Sequence, residues 1–352
     1  MVFGQKWYPN GIKLTPLFRQ KPGIMTAIVI QDRHLLQETI YREQFTGNNE
    51  MRFSFWPQPN QSFDVMKQLG NHVEQSGWDG MWLADHFMPN AEDTSAPLPE
   101  AWTTLAALAA SIPRIRLGTL VTGNTYRHPA VLAKMAATVD HISGGRLVLG
   151  LGSGWQENEH EKYGIEFDTV AGRLQRLEEA CQVIKLLFNE ESANFRGNYY
   201  TLNNAPLVPK PKQDTLPLLI GGGGEKVTLR ITAQYADEWN VWGDVPLLTQ
   251  KMAILDQHCE NLGRNPADIQ RSAVALMFIT EDAAFAKKMR ESTAKPPKIA
   301  GTVSELRDVI AGYAEAGVNE FIVPDFTLGP DCNQEKLDTL DRFIEDIASV
   351  VK

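Results

Sequence analysis

Residues 117–164 decide the fold, and they read LGTLVTGNTYRHPAVLAKMAATVDHISGGRLVLGLGSGWQENEHEKYG. Two short apolar runs, 115–121 and 146–152, flank one amphipathic segment of helical length, and this order indicates strand, helix, strand. Two strands joined by a covering helix lie parallel. Each run is followed by a loop of small and polar residues, so the sequence predicts that the chemistry lies at these two strand ends.

The same alternation continues along the chain from Met51. Predicted strands fall near residues 52–57, 79–84, 115–121, 146–152, 217–221, 237–242, 270–279 and 319–324. Predicted helices fall near residues 62–76, 99–111, 129–142, 170–189, 224–235, 246–262, 303–316 and 334–351. Eight strand-helix units predict an α/β fold, and in particular a closed parallel (β/α)8 TIM barrel rather than an open doubly wound sheet.

Three segments depart from this pattern. Insertions follow the helix after strand four, near 190–216, and the seventh strand, near 281–302. We interpret the first as a short hairpin and lid over the site, and the second as a mobile segment. Residues 1–50 show no sustained helix or strand period and no secretory-signal order. We therefore expect residues 1–50 to be an accessory extension or translated upstream sequence, and residues 51–352 to form the catalytic domain.

Composition narrows the class of protein. The formal charge of −9, without clustered Lys and Arg, argues against a nucleic-acid binder. No apolar run approaches the roughly 18 residues that a membrane span needs. Cys181, Cys259 and Cys332 are far apart and have no C-x-x-C spacing, which predicts neither a disulfide framework nor a metal knuckle. We expect a cytoplasmic protein that acts on a small-molecule substrate.

The dipeptide Asp85-His86 follows the apolar strand predicted at 79–84, which places it at the C-terminal mouth of the barrel. A histidine there can exchange a proton near neutral pH, and an adjacent carboxylate can set its charge state. A structural histidine bonded to backbone is the alternative. The position at the mouth favours a catalytic histidine.

Four consecutive glycines, residues 221–224, connect the fifth predicted strand to a helix that we expect to start near Glu225. Glycines let backbone amides converge on an anion, and a helix N-terminus adds the positive end of its dipole. Turns also need glycine, so an ordinary turn is the alternative. The place of the loop, after a strand and before a helix at the barrel mouth, favours a phosphate cradle.

Two long runs, GTLVTGNTYRHPAVLAKMAATVDHISGGRLVLGLGSGW (118–155) and LLIGGGGEKVTLRITAQYADEWNVW (218–242), resemble the luciferase-like monooxygenase superfamily. They are most similar to its branch of oxidoreductases that use the deazaflavin coenzyme F420, and the resemblance extends from about Met51 to the C-terminus. It implies a bacterial luciferase-like barrel that transfers a hydride between C5 of the deazaflavin and a small organic substrate. In that reaction His86 would donate or accept a proton, and Asp85 would orient it.

The resemblance also implies the surroundings of the cofactor. It predicts a non-prolyl cis peptide behind the ring, at Leu120-Val121 or Val121-Thr122. The cofactor-binding residues that we predict are Leu120, Val121, Thr122, Asn124, Ser153, Gly154, Asn158, Gly222, Gly223 and Gly224. For Asn124 and Asn158, loop capping is the alternative. The substrate-binding residues that we predict are Trp56, Phe87 and Trp155, whose presence simple packing would explain equally well.

Other polar residues are weaker candidates. Arg127 can pair with a phosphate or a substrate anion. However, Arg127 lies where the chain enters the third helix, with His128 at the cap and Pro129 at the helix start, and we favour this structural explanation. His160 has no second histidine at ligand spacing, so no metal site is predicted.

Two positions depart from the sugar-phosphate dehydrogenases of the F420 branch. Asn90 stands where those enzymes carry a tryptophan, and Trp155 stands where they carry a glutamate acid. Both departures argue against sugar-phosphate oxidation.

Three other functions remain open. An FMN-dependent monooxygenase that uses reduced flavin and oxygen shares the fold and the phosphate loop, because FMN and F420 carry a phosphate at the equivalent place. A cofactor-binding or storage protein would carry an incidental histidine, and a metal-dependent barrel enzyme is the most distant alternative. Relatives in this superfamily are commonly dimers, so the resemblance implies a homodimer.

Overall fold

This computed structural model describes residues 51–352, so the expectation for residues 1–50 lies outside the described residues. Thirteen strands form in residues 51–352. Eight parallel strands pair side by side, and the first strand in this order also pairs with the last, at Leu117 and Leu147. The sheet is therefore closed into a barrel. The (β/α)8 prediction is confirmed. In chain order the strands are β1 (Arg52–Trp56), β2 (Gly80–Leu83), β3 (Arg116–Thr119), β4 (Thr122–Gly123), β5 (Leu147–Gly152), β6 (Ala193–Arg196), β7 (Thr201–Ala205), β8 (Leu218–Gly221), β9 (Glu238–Trp242), β10 (Gln270–Val274), β11 (Leu276–Ile279), β12 (Lys298–Gly301) and β13 (Glu320–Pro324).

Ten α-helices are found in the same residues, 51–352. They are α1 (Phe63–Gln75), α2 (Ala101–Ser111), α3 (Pro129–Ser143), α4 (Glu157–Tyr163), α5 (Val170–Asn189), α6 (Thr228–Tyr235), α7 (Val245–Asn261), α8 (Ala283–Arg290), α9 (Val303–Glu315) and α10 (Gln334–Arg342). After α10 the chain continues as a π-helical turn, Phe343–Ile347, and a 3-10 turn, Ala348–Val350, so the predicted single helix over 334–351 is divided. The short helix α4 was not predicted.

The barrel strands are continuous apolar runs in the sequence because each strand is packed on both of its faces. All six residues of β5 are buried, as expected for a parallel strand that faces the barrel interior on one side and helices on the other. Inside the barrel, a cluster that includes Trp82, Val148, Leu219 and Ile322 fills the space between the strands. The barrel interior is therefore a packed core, and a cavity can open only at an end.

A polar network closes the end of the barrel at which the strands begin. Glu320, the first residue of β13, accepts from Ser54 Oγ at 2.5 Å, from Trp82 Nε1 at 2.9 Å and from Arg116 at 3.0 Å. Arg116 also contacts Glu238, the first residue of β9. These groups satisfy one another's hydrogen-bonding capacity across the barrel, so this end contributes to stability. We therefore look for the functional site at the opposite end.

The two insertions both contain regular structure. In the first, β6 and β7 form the predicted antiparallel hairpin, whose turn is held by backbone donors at Asn198, Tyr199 and Tyr200 to the Glu179 carboxylate on α5. None of its residues lines the main cavity, so the interpretation as a lid over the site is not supported. The second insertion forms α8 and β12, and β12 pairs in parallel with β11. The insertion thus contains a helix and a strand, and its mobility stays a prediction.

Candidate active site

The carboxyl ends of the barrel strands surround a cavity of about 920 Å³. Eleven of the fifteen site residues predicted from sequence border it: Trp56, Asp85, His86, Leu120, Val121, Thr122, Ser153, Gly154, Trp155, Gly222 and Gly223. Four others lie outside its lining, namely Phe87, Asn124, Asn158 and Gly224. The end of the barrel chosen from the sequence is therefore where the structure has its large cavity.

His86 is oriented by a carboxylate that the sequence did not suggest. Its Nδ1 lies 2.9 Å from Oε1 of Glu159, at the start of helix α4, and the next backbone N–H, that of Phe87, donates to Oε2 of the same carboxylate at 2.8 Å. A carboxylate can only accept, so Nδ1 carries the hydrogen of this contact. Nε2 is left without a hydrogen bond to any described residue, on a side chain that borders the cavity.

Asp85 does not orient His86, which corrects the interpretation drawn from their adjacency. Its carboxylate is buried and faces Arg127, whose two guanidinium nitrogens donate to it at 2.6 and 3.1 Å. Arg127 also donates to Glu100 at 2.5 Å. Consecutive residues leaving a strand point in different directions, so the two side chains diverge. Arg127 therefore serves as the partner of a buried acid, and the structural account of its neighbours is confirmed, because His128 caps helix α3 and Pro129 is its first residue.

Ionisation in this cluster is set by burial and by hydrogen bonds. Burial alone would raise the pKa of Glu159, but donors on His86, Phe87 and Tyr126 outweigh it and hold that pKa below its ordinary value. Burial and the neighbouring Glu159 raise the pKa of Tyr126, so its hydroxyl stays protonated and donates to Glu159. Burial raises the pKa of Asp85, and Arg127 opposes the rise. The cluster thus keeps a carboxylate on His86 at neutral pH.

Val121 borders the cavity where the chain passes from β3 to β4. The cis peptide predicted here is confirmed at Leu120-Val121. A Cβ added to Gly152 or Gly221 would stand 2.7 or 2.9 Å from a Val121 methyl, so both glycines are needed to admit this side chain. The result is an apolar bed at the cavity wall between β5 and β8.

The tetraglycine loop borders the cavity beside this bed, but it differs from the prediction in one respect. Helix α6 begins at Thr228 rather than near Glu225, because the first turn after the glycines is irregular. Gly222 has φ of +128°, which side chains rarely adopt, and a Cβ on Gly223 would lie 3.7 Å from Cε of Lys251. The loop thus leaves backbone exposed next to a lysine, whose Nζ is 2.7 Å from Glu225.

The predicted residues outside the lining support the wall from behind. The amide nitrogen of Asn158 donates to the Pro89 carbonyl at 2.9 Å, and that of Asn124 lies 3.4 Å from the Tyr200 hydroxyl. Both amide oxygens are buried without a hydrogen bond to a described residue. Phe87 packs between aromatic rings on the far side of the wall.

Three aromatic side chains form a corner of the cavity, and only one of them, Trp56, was a predicted site residue. Trp56, at the end of β1, packs against Trp242 at the end of β9 with ring centroids 5.6 Å apart, and against Phe326 beyond β13 at 5.2 Å. All three rings border the cavity. Trp155 stands at the opposite wall, 62% exposed, with its ring 5.4 Å from that of His86.

Residues 51–352 contain neither a metal-binding cluster nor a membrane-spanning helix. No three or more His, Cys, Asp or Glu side chains are grouped so as to hold a metal ion. No helix in this part of the chain is both long and apolar enough to pass through a membrane.

A parallel (β/α)8 barrel with a cavity at the carboxyl ends of its strands has the architecture of the TIM-barrel enzymes, whose active sites lie at that end. The sequence profile of the luciferase-like monooxygenase family matches residues 50–302. The chain therefore belongs to this family.

Individual relatives divide between two chemistries. An F420-dependent glucose-6-phosphate dehydrogenase of Amycolatopsis mediterranei is 37% identical over 47% of this chain and 47% of that protein. Pyrimidine monooxygenase RutA of Pseudomonas savastanoi pv. phaseolicola is 30% identical over 86% of both chains. The chain spans about half the length of the dehydrogenases that it matches, 46 to 62%.

Solved structures share the fold at low identity. An F420-dependent secondary alcohol dehydrogenase in complex with an F420-acetone adduct superposes with a TM-score of 0.72 at 20% identity, over 86% of this chain and 99% of that one. Long-chain alkane monooxygenase LadA superposes with a TM-score of 0.70 at 16% identity, over 85% and 90% of the two chains. These similarities establish the barrel fold. The reaction has to be inferred from the residues of the site.

Proposed function

We propose that this protein is an oxidoreductase that transfers a hydride between coenzyme F420 and a small organic substrate bound at the barrel mouth. The observation that carries the proposal is the state of His86. Its ring borders the cavity, its Nδ1 is held 2.9 Å from the buried Glu159 carboxylate, and Nε2 is left for the substrate. A histidine fixed in this way is suited to exchange one proton with a hydroxyl or carbonyl oxygen.

The residues around the cavity fit a ring cofactor with a phosphate. Val121 offers an apolar bed for the face of a ring, in a space that glycines on β5 and β8 keep open. The glycine loop offers backbone amides, and Lys251 adds a cation close to Gly223. We infer that Leu120, Val121 and Thr122, with Ser153 and Gly154, contact the ring, and that the glycine loop contacts the phosphate.

The chain's own residues handle the proton and exclude water. When bound, the deazaflavin supplies the carbon that accepts or gives the hydride. During oxidation of an alcohol, His86 Nε2 takes the hydroxyl proton as the hydride leaves the carbinol carbon. In the reverse direction the same nitrogen returns the proton to the carbonyl oxygen. Glu159 stabilises the imidazolium that forms, and apolar walls keep bulk water from the reacting atoms.

One observation favours a second function, that of an FMN-dependent monooxygenase. Pyrimidine monooxygenase RutA aligns in sequence over 86% of both chains, whereas the F420-dependent glucose-6-phosphate dehydrogenases align over 46 to 62% of their own length. The glycine loop would hold either phosphate. The departures at Asn90 and Trp155, both of which border the cavity, set this chain apart from sugar-phosphate dehydrogenases but not from other users of F420.

Separate titrations of the full-length protein with F420 and FMN test the proposal, with quenching of cofactor fluorescence as the readout. Tight binding of F420 and weak binding of FMN would support hydride transfer. Preference for FMN, with oxygen consumption when the flavin is reduced, would support the monooxygenase instead. Tight F420 binding without turnover on a broad substrate panel, unchanged in His86→Ala, would indicate a storage protein.

We also propose a homodimer, on the resemblance to the superfamily. Sedimentation velocity at working concentration should then give a single species of twice the chain mass. A monomer under the same conditions would overturn this proposal and would leave the site unaffected.

A further inference from the structure

The cavity lining carries almost no charge. Among the described residues that border the cavity, none is lysine or arginine, and the titratable side chains are Asp85, His86 and Tyr126. Most of the lining is aliphatic, aromatic or glycine. An anionic substrate group would therefore lose its hydration without gaining a cationic partner, which is costly in a buried site.

The charges behind the reactive wall are also unfavourable to an anion. Arg127 is already engaged by two carboxylates, with contacts of 2.6 Å to Asp85 and 2.5 Å to Glu100. A third carboxylate, that of Glu159, lies on His86. Three carboxylates thus lie near the His86 end of the cavity beside one arginine, which is already paired, so an anionic substrate group would gain no cationic partner from Arg127.

The wall made by β1, β9 and β13 offers aromatic surface instead. Trp56, Trp242 and Phe326 form a continuous corner, with centroid separations of 5.2 to 6.3 Å. Phe326 is 38% exposed and borders the cavity. Aromatic faces of this kind gain binding energy by covering apolar area, and they need no charge on the ligand.

We propose that the substrate is an uncharged, largely apolar carbonyl compound or alcohol whose ring or alkyl body packs in the corner of Trp56, Trp242 and Phe326, with its oxygen toward His86. This inference deepens the proposed hydride transfer and rests on it. It specifies a property that the fold leaves open, because function depends on the residues of a site rather than on the barrel itself.

A pair of probes with one ring system and different charge tests the substrate class. Binding of 2-acetylnaphthalene and of 2-naphthoate to the full-length protein loaded with F420 would be measured by calorimetry. We expect the neutral ketone to bind at least about tenfold more tightly than the carboxylate. Equal or tighter binding of 2-naphthoate would overturn the proposal.

A matched pair of variants tests the location. Phe326→Ala should weaken binding of 2-acetylnaphthalene by about three- to tenfold, because it removes apolar area from the corner. Phe285→Ala is the control, since Phe285 is 37% exposed on α8 and borders no part of the cavity. The two phenylalanines are almost equally exposed, so folding should tolerate both changes, which thermal melting would verify. Identical probe affinities in the two variants would place the substrate elsewhere.

Failure of the proposed function would be visible separately. F420 affinity is measured in its own titration before the probes are added. If F420 does not bind, hydride transfer with this cofactor is refuted, and the two probes and the two variants would still report the substrate class on protein loaded with FMN. If F420 binds and the carboxylate probe is preferred, only the inference about the substrate fails.

Discussion

Replacing Glu159 with glutamine removes the charge that orients His86 while keeping the size of the side chain. In the native protein the carboxylate accepts from His86 Nδ1 at 2.9 Å, from Phe87 N at 2.8 Å and from the Tyr126 hydroxyl. Glutamine has one acceptor oxygen, and its amide nitrogen would face a donor. At least one buried donor must therefore lose its partner or turn away.

The size of the effect follows from that lost partner. A buried donor without an acceptor costs about 1–3 kcal/mol, so the free energy of unfolding at pH 7 should fall by about that amount. If the donor that loses its acceptor is His86 Nδ1, the same cost applies when the ring is in its reacting position. The value of kcat/KM should then fall about ten- to hundredfold, since about 1.4 kcal/mol corresponds to tenfold. Affinity for F420 should change little, because Glu159 does not border the cavity.

The pH dependence has a definite sign. The folded protein holds the pKa of Glu159 below its ordinary value, so its stabilising contribution is present above the unfolded pKa, roughly 4.3, and is lost as pH falls through the folded value. The difference in stability between the native protein and Glu159→Gln should therefore narrow below about pH 4.

Urea denaturation at several pH values, cofactor titration and turnover would measure these effects. Glu157→Gln is the matched control, because Glu157 lies on the same helix with its side chain exposed. Its stability should stay within about 0.5 kcal/mol of the native protein. If Glu159→Gln behaves like Glu157→Gln in stability and turnover, Glu159 does not orient His86, and the reasoning is refuted.

Three further substitutions give distinct outcomes. Gly152→Ala would place a Cβ 2.7 Å from a Val121 methyl, so F420 affinity should fall by about tenfold in the fluorescence titration; unchanged affinity would exclude this bed as the ring site. Arg127→Met leaves Asp85 buried without its partner and should cost about 3–5 kcal/mol in urea denaturation. Because burial raises the pKa of Asp85, that cost should shrink as pH falls, and a constant cost would contradict the account. Lys251→Met should weaken FMN binding about fivefold while leaving riboflavin unchanged, since only FMN carries the phosphate; an equal loss for both would remove Lys251 from the phosphate site.

The barrel and the position of its mouth were predictable because local patterns determine them. The apolar runs at 115–121 and 146–152 correspond to buried strands, and polar or glycine-rich residues follow each of them. A parallel strand must end at the mouth, so Asp85, His86 and the tetraglycine were located without knowledge of the contacts. The helix boundary after the tetraglycine was placed too early, since the turn at residues 225–227 has no distinct sequence signal.

The partners within the site were not predictable because they depend on contacts between distant residues. Glu159 lies 73 residues after His86, and no local spacing connects them. Sequence adjacency suggested Asp85 as the partner of His86, although its true partner is Arg127. Trp242 and Phe326 come from different strand ends than Trp56, so the corner that they form is visible only in three dimensions. Helix α4 reads ENEHEKY and has no apolar stripe, so nothing in the sequence marked Glu159 as a buried residue.

The most direct test of hydride transfer is a single-turnover experiment with F420 bound to the native protein and to His86→Ala. Each protein would be loaded with oxidised F420 without oxygen and mixed with a panel of uncharged alcohols, and loss of the deazaflavin absorbance would be followed. We expect both proteins to bind F420 with similar affinity, and only the native protein to reduce it at an appreciable rate. Reduction at the same rate in His86→Ala would contradict the role of this histidine, and no reduction by the native protein, together with oxygen consumption with reduced FMN, would contradict the proposed reaction.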